Sequence, residues 1–471
     1  MTGAPTAIAG GLVLAGWDAE PVPGTVLVAG DGTIDAVAYG PDARALAERA
    51  AEAVDASGAM VMPGLVNAHH HAYGNALRGT ENDRPLEQWA PFTVAYGRHL
   101  DAETLRLAIL LGAAEMLRGG VTAAIDHSPQ VGLHETAFTA HRDSGLRVGY
   151  APFFHDIHDH DFLGMALPAE LRAFLEGPGF AAADFTEAMF RSLAEEAYSG
   201  DGRVAVLLGP NAPQRCSDVL LDLWVRLRDG LGLGVHTHLL ETRAQRDGCR
   251  RVWPHGLVRE MDRRGLLAPG LSVAHGVWLD PEERALLAER GVVVSHNPAS
   301  NLMLGSGLAP LQGFRRAGVT VALGSDSANT GGAADLFEIM RLAMMLPRLG
   351  DGDWRGWLKP SEVLRMATEG GAAALGLAGR TGRIAPGWQA DLAIVDVGGS
   401  AAVAAVPSVA TLVQHGGPQH VRATMVGGSW AYRDGRILAF DEAAAIARFR
   451  DRIGAVMEAA RRDVALVARN S

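Results

Sequence analysis

The chain has 471 residues, of which 48% are hydrophobic and 20% are charged, a balance typical of a globular protein with a large core. The net charge of −11 disfavours nucleic acid and anionic membranes as partners, because both are negatively charged. Two cysteines are too few for a disulfide framework or a cysteine-rich zinc site.

The amino-terminal segment lacks the features of a targeting sequence. Residues 1–6 contain no basic side chain, and the apolar stretch that follows is interrupted by Asp18 and Glu20. We therefore expect neither a signal peptide nor a membrane span, and we expect a cytoplasmic protein. Residues 24–28 and 33–37 are β-rich and are joined through a strong hairpin-turn pair, Asp31-Gly32.

A short apolar segment then ends in three consecutive histidines, His69-His70-His71. If this segment is a strand, His69 and His71 point to the same side and can bind one metal ion, while His70 points away. Spacing alone leaves a histidine-rich loop as the alternative.

The middle of the chain repeats a strand-then-helix rhythm. Asp101 caps an amphipathic run over residues 104–118, and residues 121–127 then have the pattern of a buried strand. Further strands are predicted over residues 202–209, 232–238, 271–275, 291–296 and 318–326. Such alternation favours a parallel barrel covered by helices, whose active site lies at the carboxyl ends of the strands.

The strand predicted over residues 232–238 carries a second pair of histidines two residues apart, His236 and His238, and Glu241 follows three residues later. A carboxylate in this place can transfer protons beside a bound metal. His236 lies one pleat further from the strand end. It is either a support of the pocket or an ordinary core residue.

Four motifs occur in the order found in one enzyme superfamily. They are the run from Pro63 to His71, Val273-Ala274-His275-Gly276, the run from Ser295 to Asn301, and Leu323-Gly324-Ser325-Asp326-Ser327. Over roughly residues 10–439 the chain resembles the amidohydrolase superfamily, and within it the mononuclear deaminase and triazine-hydrolase group. The resemblance implies an α/β fold: a metal-dependent (β/α)8 TIM-like barrel over residues 63–378, with a flanking β-sandwich from residues 1–62 and 379–440. Residues 441–471 are expected to form a C-terminal helix.

The resemblance also implies a metal site and catalytic roles. The expected metal ligands are His69, His71, His238 and Asp326. Asp326 would also take a proton from the bound water, Glu241 would pass protons to a ring nitrogen and to the leaving amine, and His275 would orient the nucleophile. In isolation His275 could be a buried histidine and Asp326 a helix cap, but their place in the motif order favours the site. Three histidines and a carboxylate suit zinc, with iron as the alternative.

The single lysine, Lys359, limits the kind of metal centre. Binuclear members of the superfamily commonly bridge two metals with a carboxylated lysine on a middle strand, and this chain has no lysine there. We therefore expect one divalent metal ion. At a zinc site the pKa of bound water falls to about 7, so hydroxide is available as a nucleophile at neutral pH.

Five further residues are candidates for substrate contacts. They are Trp89, His127, His236, His296 and Asn301. Trp89 lies where relatives carry a covering loop and would stack on a planar substrate, unless it is a core tryptophan. The run from Phe153 to Asp161, with alternating His and Asp, is similar to a second metal site. A polar loop without an apolar strand does not hold ligand geometry, which favours a solvated loop or a wall on the substrate side.

The expected function is hydrolytic deamination of an amino-substituted nitrogen heterocycle, such as a purine, pyrimidine, pterin or triazine. The alternatives are displacement of another leaving group, opening of a cyclic amide, and a non-catalytic relative that uses the barrel for binding or assembly. Glu241 favours deamination, because an amine must be protonated to leave. We expect a small heterocyclic substrate and a homo-oligomer. Many relatives have His at the position of Asn211 and Cys at that of Asn297, so substrate recognition is expected to differ.

Overall fold

The structure is a computed structural model that describes residues 3–81, 83–177, 182–200, 202–350, 353–397 and 407–470. Its strands are β1 (Thr6–Val13), β2 (Val22–Val28), β3 (Ile34–Tyr39), β4 (Glu52–Asp55), β5 (Ala59–Pro63), β6 (Leu65–His71), β7 (Val121–Ser128), β8 (Arg147–Phe154), β9 (Val204–Pro210), β10 (Gly234–Leu239), β11 (Leu271–His275), β12 (Val293–His296), β13 (Thr320–Leu323), β14 (Asp326–Ser327), β15 (Leu392–Asp396), β16 (Val421–Val426), β17 (Ser429–Arg433) and β18 (Arg436–Ile437).

The α-helices alternate with these strands through most of the chain. They are α1 (Asp42–Ala47), α2 (Leu86–Gly97), α3 (Ala102–Arg118), α4 (His134–Asp143), α5 (Asp159–Leu163), α6 (Ala169–Glu176), α7 (Ala183–Ser199), α8 (Asp218–Leu231), α9 (Arg243–Val252), α10 (Leu257–Arg263), α11 (Pro281–Glu289), α12 (Pro298–Met303), α13 (Leu311–Ala317), α14 (Leu336–Met345), α15 (Pro360–Arg365), α16 (Gly371–Ala374), α17 (Val409–His415) and α18 (Glu442–Asn470). Within the described ranges, no helix is both long enough and apolar enough to cross a membrane.

Nine parallel strands form a curled sheet in the order β13-β12-β11-β10-β9-β8-β7-β6-β14. Its two ends, β13 and β14, are separated in the chain only by Gly324 and Ser325; β13 pairs with β12, whereas β14 pairs with β6. The two edges of the sheet therefore meet in one stretch of chain. This is the TIM-like arrangement that the strand-helix rhythm predicts, with the carboxyl ends of the strands on one side.

Two strands differ from the sequence prediction. The sequence pattern does not predict β8, because the segment Arg147–Phe154 contains Gly149 and Pro152, which are uncommon inside strands. The strand predicted over residues 318–326 is broken between β13 and β14. Gly324 lies in this break against β6, where a Cβ would approach the Cβ of His69 to 2.8 Å, so a larger residue would push the two segments apart.

A second sheet joins the two ends of the chain, in the order β18-β17-β16-β15-β5-β1-β2-β3 with β4 beside β1. Strand β5, from the amino-terminal end, pairs antiparallel with β15, from the carboxyl-terminal end. Ile8, Val26 and Met425 belong to a buried apolar cluster on this sheet. The β-rich ends thus form one sheet, while a two-layered sandwich and the domain limits stay predictions.

A buried ion pair connects the two sheets. Arg147, at the start of β8, donates to Asp391 through Nε at 2.9 Å and through Nη2 at 3.2 Å. The same carboxylate accepts the backbone N–H of Gly427 at 2.7 Å. This network holds the start of a barrel strand against the sheet made from the chain ends.

Candidate active site

The carboxyl ends of three strands and the start of a fourth bring histidines and one carboxylate together. His69 and His71 come from β6, His238 from β10, His275 from the end of β11, and Asp326 from the start of β14. Asp326 Oδ1 lies 3.6 Å from His69 Nε2 and 3.4 Å from His71 Nε2, and the Nε2 atoms of His71 and His238 are 3.3 Å apart. The sequence-predicted ligands therefore gather around one point.

The free ring nitrogens of this cluster fit a metal ion. His71 donates Nδ1–H to the carbonyl of His127, and His238 donates Nδ1–H to the carbonyl of Asn211 at 2.6 Å. With Nδ1 as the donor, each Nε2 can offer a lone pair, and a shared cation can hold two Nε2 atoms that are 3.3 Å apart. His69 Nε2 is also buried, with no hydrogen-bond partner among the described residues. The donor set of three imidazoles and a carboxylate is one that zinc prefers.

Burial and neighbouring charges also favour the protonation states that metal binding requires. Burial lowers the pKa of His69 to about 3 and that of His238 well below its ordinary value, so both rings are neutral at pH 7. Burial alone would raise the pKa of Asp326, but the surrounding His69, His275 and His71 hold it well below the usual range. Neutral imidazoles and an ionised carboxylate are the forms that bind a divalent cation.

The backbone is strained beside the cluster. His275 and Asp326 have φ values of +72° and +61°, and Leu240, next to Glu241, has φ of +44°. The left-handed region is unfavourable for residues that carry a Cβ, and such strain concentrates where the surrounding structure holds a side chain in a required position. Here it aims an imidazole and a carboxylate at the same point.

Glu241 follows β10 and is held by the start of α9. Its backbone N–H donates to Gln245 Oε1 at 2.8 Å, and Thr242 and Gln245 form a capping box for this helix. The carboxylate accepts a hydrogen bond from Ser306 Oγ at 3.1 Å. Burial raises the pKa of Glu241 to about 7, so this group can gain or release a proton near neutral pH.

His275 stands between the two carboxylates. Its Nε2 lies 3.5 Å from Glu241 Oε2 and 3.7 Å from Asp326 Oδ2. Its Nδ1 lies 2.9 Å from Asn301 Oδ1, which fixes the orientation of the ring. Because Nδ1 donates to this amide oxygen, the ring needs a proton on both nitrogens to donate from Nε2 to an oxygen that develops negative charge between the two acids.

These groups face a cavity of about 460 Å³. Side chains that line it include His71, His238, Glu241, His275 and Asp326, together with Glu87, Trp89, Phe153, His155, His158, Leu163, Met165, Leu171 and Asn211. Trp89, on α2, is buried except for 7% of its surface and has an indole Nε1 with no partner among the described residues. The run from His155 to Asp161 lies at the cavity, as a wall on the substrate side would.

Four of the predicted substrate contacts lie elsewhere. His127, His236, His296 and Asn301 are buried, and none of them is among the described residues that line the cavity. His127 packs between His71 and Phe153, with ring centroids 5.8 Å and 4.2 Å away. Contact of these four residues with substrate stays a prediction.

The sequence analysis did not identify the residues that support the site. Ser306, the carbonyl of Asn211 and Gln245 hold Glu241 and His238. For Gln245 a signal exists in the sequence, because a Thr-x-x-Gln capping box follows Glu241 directly. The contacts of Ser306 and Asn211 join distant segments, and no local pattern reveals them.

Comparison with known proteins gives consistent results. The amidohydrolase family model matches residues 60–431. A 5-methylthioadenosine/S-adenosylhomocysteine deaminase from Nitratidesulfovibrio vulgaris is 35% identical over 428 residues, which cover 90% of this chain and 91% of the relative. A 5'-deoxyadenosine deaminase from Methanosarcina mazei is 34% identical and covers 84% of this chain and 86% of its own.

Solved structures agree in fold. An adenosine deaminase from Xanthomonas campestris with bound zinc has a TM-score of 0.84 at 29% identity, covering 96% of this chain and 98% of that one. Atrazine chlorohydrolase from Arthrobacter aurescens in complex with zinc also reaches 0.84, at 23% identity, and covers 95% of this chain and 100% of its own. At that identity the second match supports the fold alone.

Proposed function

The chain belongs to the amidohydrolase family, and on that premise we propose that it is a metal-dependent deaminase of amino-substituted nitrogen heterocycles. The observation that carries the proposal is the gathering of His69, His71, His238 and Asp326 beside a buried Glu241. All of these side chains except His69 line one cavity. The residues are those of a hydrolase that activates water and protonates an amine.

The metal would be one divalent ion, zinc by its donor set, held by the three histidines and Asp326. When bound, it would supply a water molecule acidic enough to act as the nucleophile at neutral pH. One ion is proposed because these four side chains form one compact group. A second ion bridged by a lysine is not proposed, because Lys359, the single lysine of the chain, is exposed at the start of α15 and far in sequence from the ligands.

The remaining roles fall to the residues beside the ligands. Asp326 is ionised and accepts a proton from the attacking water. Glu241, whose pKa is raised to about 7, donates a proton to a ring nitrogen of the heterocycle, which makes the attacked carbon more electrophilic. The ionised Glu241 then takes the second proton of the attacking water from the hydroxyl on the attacked carbon and delivers it to the amine, which leaves as ammonia. The proton held by Asp326 restores Glu241. His275 donates a hydrogen bond to the oxygen bound to the attacked carbon.

The substrate class is proposed to be an adenine nucleoside with an altered 5' position. The relatives from Nitratidesulfovibrio vulgaris and Methanosarcina mazei are, by their names, deaminases of such compounds. The cavity has aromatic walls at Trp89 and Phe153 for a planar base, and an apolar wall at Leu163, Met165 and Leu171 for an uncharged substituent. Its volume of about 460 Å³ is in the range of small-molecule sites.

The test is ammonia release by zinc-loaded protein over a panel of aminoheterocycles. The panel contains 5'-methylthioadenosine, S-adenosylhomocysteine, adenosine, guanine, cytosine and an aminotriazine, and the zinc-loaded Glu241→Gln variant is the control. We expect 5'-methylthioadenosine to give the highest kcat/KM and the variant to be inactive. Zinc-loaded protein that releases no ammonia from any of these compounds would overturn the function, and preference for another heterocycle would overturn only the substrate class.

Three further features of the protein also stay proposals. They are a homo-oligomer, a cytoplasmic location, and a β-sandwich formed by residues 1–62 and 379–440 beside a closed barrel over residues 63–378. Light scattering of the purified protein measures the oligomeric state, and fractionation of the source cells measures the location.

A further inference from the structure

We propose that Ser272 and His236 fix the tautomer of His69, so that its Nε2 always presents a lone pair to the metal ion. Both would be positioning residues, and the inference rests on the metal site proposed above. The carrying observation is a continuous chain of hydrogen-bonding atoms behind His69, which ends at an atom that can only accept.

The chain of atoms runs from β6 to the neighbouring strands β10 and β11, from which β6 is separated in the sheet by β7, β8 and β9. His69 Nδ1 lies 2.8 Å from His236 Nε2, and His236 Nδ1 lies 2.7 Å from Ser272 Oγ. Ser272 Oγ in turn lies 3.3 Å from the carbonyl oxygen of Val235. His236 on β10 and Ser272 on β11 are register partners. All three side chains are at most 1% exposed.

Only two proton arrangements satisfy this chain. In the first, Ser272 donates to the Val235 carbonyl and accepts from His236 Nδ1–H, so His236 Nε2 accepts from His69 Nδ1–H. His69 Nε2 then carries a lone pair toward the ligand cluster. In the second, Ser272 donates to His236, His236 donates to His69, and His69 Nε2 carries a hydrogen that blocks the metal.

The other two histidine ligands need no such device. His71 and His238 each donate Nδ1–H directly to a backbone carbonyl, and a carbonyl cannot donate in return. His69 instead faces an imidazole, which can act either way. The Val235 carbonyl offers Ser272 an acceptor and thereby favours the first arrangement. A backbone carbonyl thus sets the tautomer of His71 and His238 directly, and that of His69 through Ser272 and His236.

The experiment measures zinc affinity by competition with a chelator, a quantity that is independent of any substrate. The variants are His236→Leu, which removes the acceptor, His236→Gln, whose carboxamide can accept from His69 and donate to Ser272, and Ser272→Ala. His141→Leu is the matched control, because His141 is also buried but its Nε2 hydrogen-bonds to Asp126 and not to a proposed metal ligand.

We expect His236→Leu to weaken zinc binding by about 10- to 100-fold, the usual effect of losing a group that orients a metal-binding histidine. His236→Gln and His141→Leu should stay within about threefold of wild type, and Ser272→Ala should lie between the two groups. The d–d absorption spectrum of the cobalt-substituted variants should change for His236→Leu and stay the same for His236→Gln.

The outcomes separate this inference from the function it rests on. Equal zinc affinity in wild type and His236→Leu, or equal loss in the Gln and Leu variants, would overturn the tautomer role. If His236→Leu does not fold, His236→Gln and Ser272→Ala decide: wild-type affinity in Ser272→Ala, or a loss of more than about tenfold in His236→Gln, would contradict it. A wild-type protein that binds no zinc would instead refute the proposed metal site.

Discussion

Two clusters of histidine and carboxylate lie near the same cavity, which is lined by His160 of the outer cluster and by His71, His238 and Asp326 of the metal site. They differ in what balances their charge. The outer cluster consists of His160, Asp161 and Glu176, which are close enough to hold a cation. Arg172 lies among them, with Nη1 2.7 Å from Glu176 Oε1 and Nη2 2.9 Å from Asp161 Oδ1. Both carboxylates are more than a third exposed. The protein therefore neutralises this cluster with its own guanidinium.

The metal-site cluster consists of His69, His71, His238 and Asp326. The side chains of His69, His71 and Asp326 are at least nine-tenths buried. Among the described residues, no arginine or lysine forms an ion pair with the Asp326 carboxylate. A buried carboxylate with no cationic partner is costly. Residue types alone therefore do not identify a metal site. Burial, and the lack of a cation supplied by the protein, distinguish the two clusters.

The largest expected effect is that of removing a ligand from the metal-site cluster. His238→Ala should lose bound zinc, and kcat/KM should fall by about 10³-fold or more because water is no longer activated. His160→Ala is the matched control in the outer cluster and should keep the full zinc content. Metal analysis after gel filtration, together with the ammonia assay, measures both. Zinc content that falls in the control and not in His238→Ala would reverse the comparison.

The second-largest expected effect separates proton transfer by Glu241 from metal binding by the metal-site cluster. Glu241→Gln removes the acid but keeps the size of the side chain. We expect zinc content to be unchanged and kcat to fall by about 10²- to 10⁴-fold, the range for loss of a general acid-base group. A variant that retains wild-type kcat would show that another residue carries the proton.

A pH titration of the metal-free protein tests how deeply Glu241 is buried. Burial raises its pKa to about 7 in the folded state, against about 4.3 in an unfolded chain. The folded state binds the proton more tightly, so this stabilisation is complete below about pH 4 and is lost as pH rises through about 7. Relative to Glu241→Gln, the wild type should lose about 3 to 4 kcal/mol of unfolding free energy over that range.

Urea unfolding of both metal-free proteins at several pH values measures this difference. Glu241→Gln is the control, because a carboxamide does not titrate. A difference between the two proteins that is the same at pH 4 and pH 8 would contradict a buried, largely neutral carboxyl.

The smallest effect concerns the outer cluster. Arg172→Gln removes the cation from Asp161 and Glu176, so we expect a second, weakly bound zinc to appear by calorimetric titration. The melting temperature should change little, because exposed ion pairs contribute little to stability. Unchanged zinc stoichiometry at millimolar metal would show that the arginine is not what keeps this cluster free of metal.

The sequence predicts the part of the site that follows strand periodicity. The two-residue spacing of His69 and His71, and the position of His238 at a strand end, are local patterns that the structure reproduces as converging side chains. The places of His275 and Asp326 follow from motif order. Their left-handed backbone could not be predicted, because it arises from how the surrounding strands hold them.

The remaining parts depend on contacts between distant segments. Strand β8 contains Gly149 and Pro152, which do not favour a strand locally, and its pairing with β7 and β9 holds it in the sheet. The hydrogen bond from Ser306 to Glu241 joins residues 65 positions apart in the chain, and that between His69 and His236 joins residues 167 apart. Such contacts become visible only once the barrel is assembled.

Anomalous diffraction at the zinc edge, from crystals of the zinc-loaded protein, tests the central claim most directly. The account predicts one zinc peak at about 2.0 to 2.2 Å from Nε2 of His69, His71 and His238 and from a carboxylate oxygen of Asp326. A zinc peak at His160 and Glu176 instead, or two zinc peaks within the metal-site cluster, would contradict it.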